Sequence, residues 1–201
     1  MSDLIMAAVS LPLLEEMRSR NRLTYENWDP NQNSTYPKIK IIPTILGDWA
    51  ANGVQLDEAY AQEVWRLHAT KEYQEKDREM RRTRKVVCDA FREVFTMTAI
   101  THYHNVQVKY SARDDMAGID LTIRFPWGDE VVQFKCVTGN RDWEPVKRGR
   151  RVRRGEVVHE NVTILTAGPD DVLDDKRQPY VPTPEWYKSV PDLILAAKEH
   201  Q

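Results

Sequence analysis

The stretch Gly118–Val137, GIDLTIRFPWGDEVVQFKCV, decides the fold. Apolar and polar residues alternate on either side of Pro126-Trp127-Gly128-Asp129, as they do in strands that show one face to a core and the other to solvent. A proline and a glycine within four residues mark the reversal between two strands, Gly118–Phe125 and Glu130–Val137. With those four turn residues unpaired, Phe125 falls opposite Glu130, Ile123 opposite Val132, Leu121 opposite Phe134 and Ile119 opposite Cys136. The apolar side chains then share one face. The other face carries Arg124 with Val131, Thr122 with Gln133, and Asp120 with Lys135. A one-residue slip would scatter both sets.

Upstream, Leu56 to Met97 contains neither glycine nor proline and is rich in helix formers, with a break expected near Ala69–Thr70. In its second part Val87, Phe91 and Val94 recur at helical spacing, a stripe suited to the flat apolar face of a sheet. Glu93 flanks that stripe beside Val86 and Ala90, whereas Asp89 lies farther round, toward solvent. Val106–Ser111 reads as a strand before the hairpin, and Val157–Thr166 as one after it. Pro191–Glu199 reads as a last helix, capped near Ser189. Residues 23–55 are rich in Pro, Gly and Asn, hence loops, with a short strand at Lys38–Ile42. A short helix from Pro12 to Arg20 precedes them. The expected class is α/β with α+β character: a central mixed sheet flanked by helices over residues 71–201, and a helical and loop extension over 1–70.

Composition narrows the function classes. Of 201 residues, 41% are hydrophobic and 30% charged, a balance that builds a packed domain and not a disordered chain. No apolar run reaches membrane-spanning length. An acid, Asp3, stands where a secretion signal carries bases, and the first apolar stretch ends at Glu15–Glu16. The two cysteines, Cys88 and Cys136, make no disulfide framework; Cys136 falls on the core face. A cytoplasmic protein is expected. The net charge of −2 argues against coating nucleic acid by bulk charge. The average conceals Lys147, Arg148, Arg150, Arg151, Arg153 and Arg154, a basic connection after the hairpin that suits phosphate contacts, or else a solvated loop.

An aspartate, a side-chain amide and a lysine on one sheet face are hard oxygen donors beside a cation, a set suited to Mg²⁺. Such an ion lowers the pKa of a bound water and offsets charge on a phosphodiester. Glu93 is the candidate second carboxylate. His102 and His104 would share a face of an extended segment, but no Cys/His cluster completes a zinc site. Trp28, Trp49 and Trp65 lie outside this core and are expected to dock the N-terminal region.

Gly118-Ile119-Asp120, twelve intervening residues, then Gln133-Phe134-Lys135 resembles the active-site motif of the PD-(D/E)xK, or restriction-endonuclease-like, nuclease superfamily. Its members include restriction endonucleases, Holliday-junction resolvases and transposon-end nucleases. The resemblance spans roughly Arg82 to Thr166. It implies a restriction-endonuclease-like core and catalytic roles for Asp120, Gln133, Lys135 and Glu93, with Asp120, Glu93 and Gln133 holding Mg²⁺ or Mn²⁺. DNA would be the substrate, bound in part by the basic segment, and a homodimer or a partner enzyme would serve paired cuts. Ile119 stands where many members have proline, and Gln133 replaces the second acid, as in the Mrr-like and transposon-end-cleaving branches. A neutral amide is the weaker ligand, so the rival expectation is an inactive nuclease-fold subunit that binds DNA or protein. In a third reading the Asp120–Lys135 pair is a plain cross-strand ion pair of an unrelated α+β protein.

Overall fold

The computed structural model describes residues 4–6, 41–45, 47–48, 57–69, 81–111, 114–115, 118–136, 146–151, 159–172 and 181–199. The elements are β1 (Leu4–Met6), α1 (Glu58–His68), α2 (Arg81–His104), β2 (Gln107–Tyr110), β3 (Leu121–Phe125), β4 (Gly128–Cys136), β5 (Val146–Arg151), β6 (His159–Ala167) and α3 (Pro184–Glu199). They form an α/β fold. The chain divides into two compact units: residues 1–9, 97–173 and 181–201, and residues 10–96 and 174–180. Helix α2 runs unbroken through both.

The first unit is built on a six-stranded mixed sheet of order β1-β2-β3-β4-β6-β5. β4 and β6 are parallel, and every other neighbouring pair is antiparallel. Leu121, Ile123 and Phe125 are buried and alternate with half-buried Thr122 and exposed Arg124, as the period of two requires. The hairpin is tighter than the sequence suggests. Phe125 pairs with Gly128, Ile123 with Glu130 and Leu121 with Val132, so only Pro126 and Trp127 remain in the loop. Proline pre-sets the first loop position, and Gly128, at φ 135°, adopts a backbone that side chains disfavour. The register moves by two, which keeps each residue on its expected face but changes its neighbour. Arg124 thus meets Asp129 in an exposed ion pair at 2.9 Å. Its guanidinium holds the Asp129 carboxyl below the usual range.

Glu130, on the apolar side of β4, is buried and accepts from Trp127 Nε1 at 3.0 Å. Lys198 of α3 closes an ion pair with it. α3 lies over β6 and β5, with the Trp186 ring edge-on to Phe134 at 5.8 Å. This helix starts seven residues before the expected Pro191 and contains that proline in its interior. The Thr183 hydroxyl accepts from the Trp186 amide at 3.3 Å, with Pro184 in the first helical position, while Ser189 is interior and donates to the Trp186 carbonyl at 2.8 Å. An interior proline has no N–H for the carbonyl four residues back, here that of Tyr187. His104 supplies the missing donor, its Nε2 lying 2.7 Å from Tyr187 O. The carbonyl can only accept, so Nε2 carries the proton.

Two further sequence expectations change in this unit. His102 and His104 close helix α2 and are not extended. Lys147, Arg148, Arg150 and Arg151 belong to β5, a strand and not a connection, at one edge of the sheet. Arg153 and Arg154 lie outside the described residues. At the opposite edge β1 pairs with β2, a strand that the sequence reading did not foresee.

The second unit is helical where described. Residues 41–45 and 47–48 are helical, with Ile41, Ile42 and Ile45 buried. The expected strand at Lys38–Ile42 is therefore corrected at residues 41–42, and the rest of it lies outside the described residues. Pro43 is the reason: it cannot donate to a sheet ladder but is tolerated in a first helical turn. Asp57 caps α1 by accepting from the Tyr60 amide at 2.9 Å, and the helix ends at the expected break, with Ala69 as its C-cap. Trp65 is buried; Trp28 and Trp49 lie outside the described residues, as does the helix expected from Pro12. Tyr60 donates to Asp48 at 2.9 Å, and burial together with that carboxylate pushes its hydroxyl pKa far up. Among the described residues no helix is long and apolar enough to cross a membrane.

Candidate metal centre

Helix α2 carries the first acid. Val87, Phe91 and Val94 are fully or nearly fully buried, as their spacing predicts, and Glu93 beside them is buried too, at 8% exposure. Asp89 is not the solvent-facing residue expected. It is buried and paired with Lys85 at 3.0 Å and Arg92 at 3.1 Å. That carboxylate is neutralised within its own helix.

The other acids come from the approach to β3. Asp114 and Asp115 sit in a helical turn that ends in a recognisable stop: Gly118 N–H donates to Asp115 O at 2.7 Å and Ile119 N–H to Asp114 O at 3.0 Å. This paired arrangement is the Schellman motif, with glycine in its left-handed position at φ 76°. Asp115 before this stop and Asp120 after it come together. Asp115 is buried and its Oδ2 accepts from the Tyr110 hydroxyl at 2.9 Å.

Asp120 is fixed to β4 twice. Its amide donates to Val132 O at 3.0 Å, and its Oδ2 accepts from the Phe134 amide at 2.6 Å. Val132 is also the ladder partner of Leu121, so two successive residues address one, as in a β-bulge. The result is convergence: one ligand atom each from Glu93, Asp115 and Asp120, all within 4.8 Å of one another.

Of the residues singled out in the sequence, the structure therefore brings Glu93 and Asp120 together. Gln133 and Lys135 flank Phe134, whose amide holds Asp120; Gln133 is half-buried and Lys135 exposed. With the tighter hairpin, Asp120 stands by the Val132–Phe134 segment and is no longer the cross-strand partner of Lys135. Cys136 is half-buried rather than buried, and Cys88 is buried; neither is in a disulfide. The residue that sequence reasoning missed is Asp115. Its signal was the pair Asp114-Asp115 placed three residues before a glycine, which marks a helical turn and its stop.

Three carboxylates in a mostly buried space repel one another unless a cation or protons sit among them. Hard oxygen donors suit Mg²⁺ or Mn²⁺. Of three oxygens on one octahedral ion at about 2.1 Å, at most one pair stands about 4.2 Å apart and the others about 3.0 Å. Closing a set that lies within 4.8 Å onto an ion therefore needs a contraction of up to about 1.8 Å in a pair. The donor set fits a divalent cation. Compared with protein-family models, curated proteins and solved structures, the chain matches none.

Proposed function

We propose that the chain is a cytoplasmic, metal-dependent DNA endonuclease with a restriction-endonuclease-like core of the PD-(D/E)xK type. The observation that carries this reading is the convergence of Glu93, Asp115 and Asp120 beside the strand that bears Gln133-Phe134-Lys135. Glu93, Asp115 and Asp120 would hold Mg²⁺ or Mn²⁺, with the Gln133 side-chain oxygen as a further ligand. The ion, when bound, supplies Lewis-acid activation of water and charge neutralisation at the phosphodiester. Lys135 orients the attacking water and offsets the negative charge that builds on the non-bridging oxygens as the P–O bond breaks. Hydrolysis leaves a phosphate on one strand end and a hydroxyl on the other. The edge strand bearing Lys147, Arg148, Arg150 and Arg151, with Arg153 and Arg154 after it, would bind backbone phosphates without reading sequence. A homodimer or a partner enzyme would be needed to cut both strands in concert.

Gln133, in the place of an acid, favours a second reading: a nuclease-fold subunit that binds DNA or protein without cutting. One experiment separates the two. The full chain is incubated with supercoiled, linear, branched and single-stranded DNA in Mg²⁺ or Mn²⁺, beside Asp120→Ala and Lys135→Ala. Nicking by the wild type that both variants lose supports the endonuclease. Equal residual cleavage in the variants points to a contaminant and refutes it.

A further inference from the structure

The geometry points to Tyr110 as the positioning residue of the metal centre, acting on the ion through Asp115; this inference rests on the endonuclease reading. Tyr110 is 2% exposed and stands at the end of β2, paired with Leu4 of β1, so its ring is carried by a sheet strand and not by a loop. Its hydroxyl donates to Asp115 Oδ2 at 2.9 Å in a buried bond. Asp115 lies outside the strands, its amide donating to Ser111 O at 2.9 Å and its carbonyl accepting from Gly118 at 2.7 Å. A carboxylate there, within 4.8 Å of two others of the same charge, is pushed outward before any cation arrives. The Tyr110 bond opposes that push and fixes the plane of the carboxylate.

Asp120 is treated likewise by a different donor, the Phe134 amide. Each of these two acids thus has Oδ2 engaged by a protein donor, and bidentate chelation would set that bond against the ion. Partners of this outer kind orient metal ligands and typically govern affinity by tenfold or more.

The test measures Mn²⁺ binding to the full chain without DNA, by the loss of the free-ion electron paramagnetic resonance signal. Wild type, Tyr110→Phe, Asp115→Asn and the double variant are compared, and circular dichroism checks that each is folded. Tyr110→Phe keeps the ring in its place and is expected to weaken Mn²⁺ binding about tenfold. Asp115→Asn weakens it further, and adding Tyr110→Phe to Asp115→Asn then changes nothing, because the residue through which Tyr110 acts is already lost. A merely structural role would not produce that non-additivity. Tyr110→Phe binding Mn²⁺ as the wild type does, or losses that multiply in the double variant, overturns the inference while the metal centre stands. A folded wild type that binds no Mn²⁺ overturns both.

Discussion

Replacing Glu93 by glutamine should make the metal-free protein more stable and the metal-loaded protein less so. Two unit charges 4.8 Å apart repel by about 3.5 kcal/mol at an effective dielectric of about 20. Glu93 takes part in two of the three repulsions in the cluster. The wild type does not bear their full sum, because a proton can enter the site instead: an ordinary glutamate takes one up at pH 7 for about 3.7 kcal/mol. That figure caps the gain. Glutamine has the shape of glutamate and removes the charge, so Glu93→Gln should stabilise the protein in chelator by about 1–3 kcal/mol, somewhat under the cap. With Mn²⁺ the order reverses, since the ion stabilises the folded state according to its affinity, and the variant has lost a charged ligand. The assay is urea unfolding at pH 7 in EDTA and in millimolar Mn²⁺. A variant less stable than the wild type in EDTA, with an undiminished Mn²⁺ increment, would show that the three carboxylates neither repel one another nor share an ion.

Two other perturbations probe the elements that build the site and the helix beside it. Gly118→Ala forces a side chain into the left-handed position at φ 76° and should cost about 1–2 kcal/mol; it should also weaken Mn²⁺ binding, because the Schellman stop sets Asp115 against Asp120. Unfolding curves and the same Mn²⁺ titration would check both effects. His104→Ala leaves the Tyr187 carbonyl without its donor, at a cost of about 1–3 kcal/mol in urea unfolding. In a Pro191→Ala background the helix regains its own N–H for that carbonyl, and the cost of His104→Ala should shrink; an equal cost in both backgrounds would refute the pairing.

Period and punctuation carried most of the fold. Alternation in LTIRF and EVVQFKC is enough to place two strands and their faces, because the side-chain period of a strand is two whatever lies around it. The glycine- and proline-free stretch around Val87, Phe91 and Val94 defines a helix for the same kind of reason. Glu93 and Asp120 were legible as candidates, since an acid beside an apolar stripe and an acid opening a strand are local facts. What local pattern could not supply was neighbourhood. The turn residues allow two registers that keep the same faces, and only closure of the ladder chose Phe125 opposite Gly128. Asp89 looked solvent-facing because an acid off the apolar stripe reads as exposed; the structure buries it in ion pairs with Lys85 and Arg92. Pro191 read as a helix start because its missing N–H is tolerated there; inside α3 it is accommodated through His104, 87 residues earlier in the chain. Asp115 joined the acidic cluster by way of the helical stop at Gly118, and it accepts a bond from Tyr110. Local pattern along the chain is enough to mark most strands and helices and to say which side chains have the chemistry of a metal ligand. The tertiary structure alone decided which of those acids meet, because that depends on distances between segments far apart in the chain, and periodicity carries no information about them.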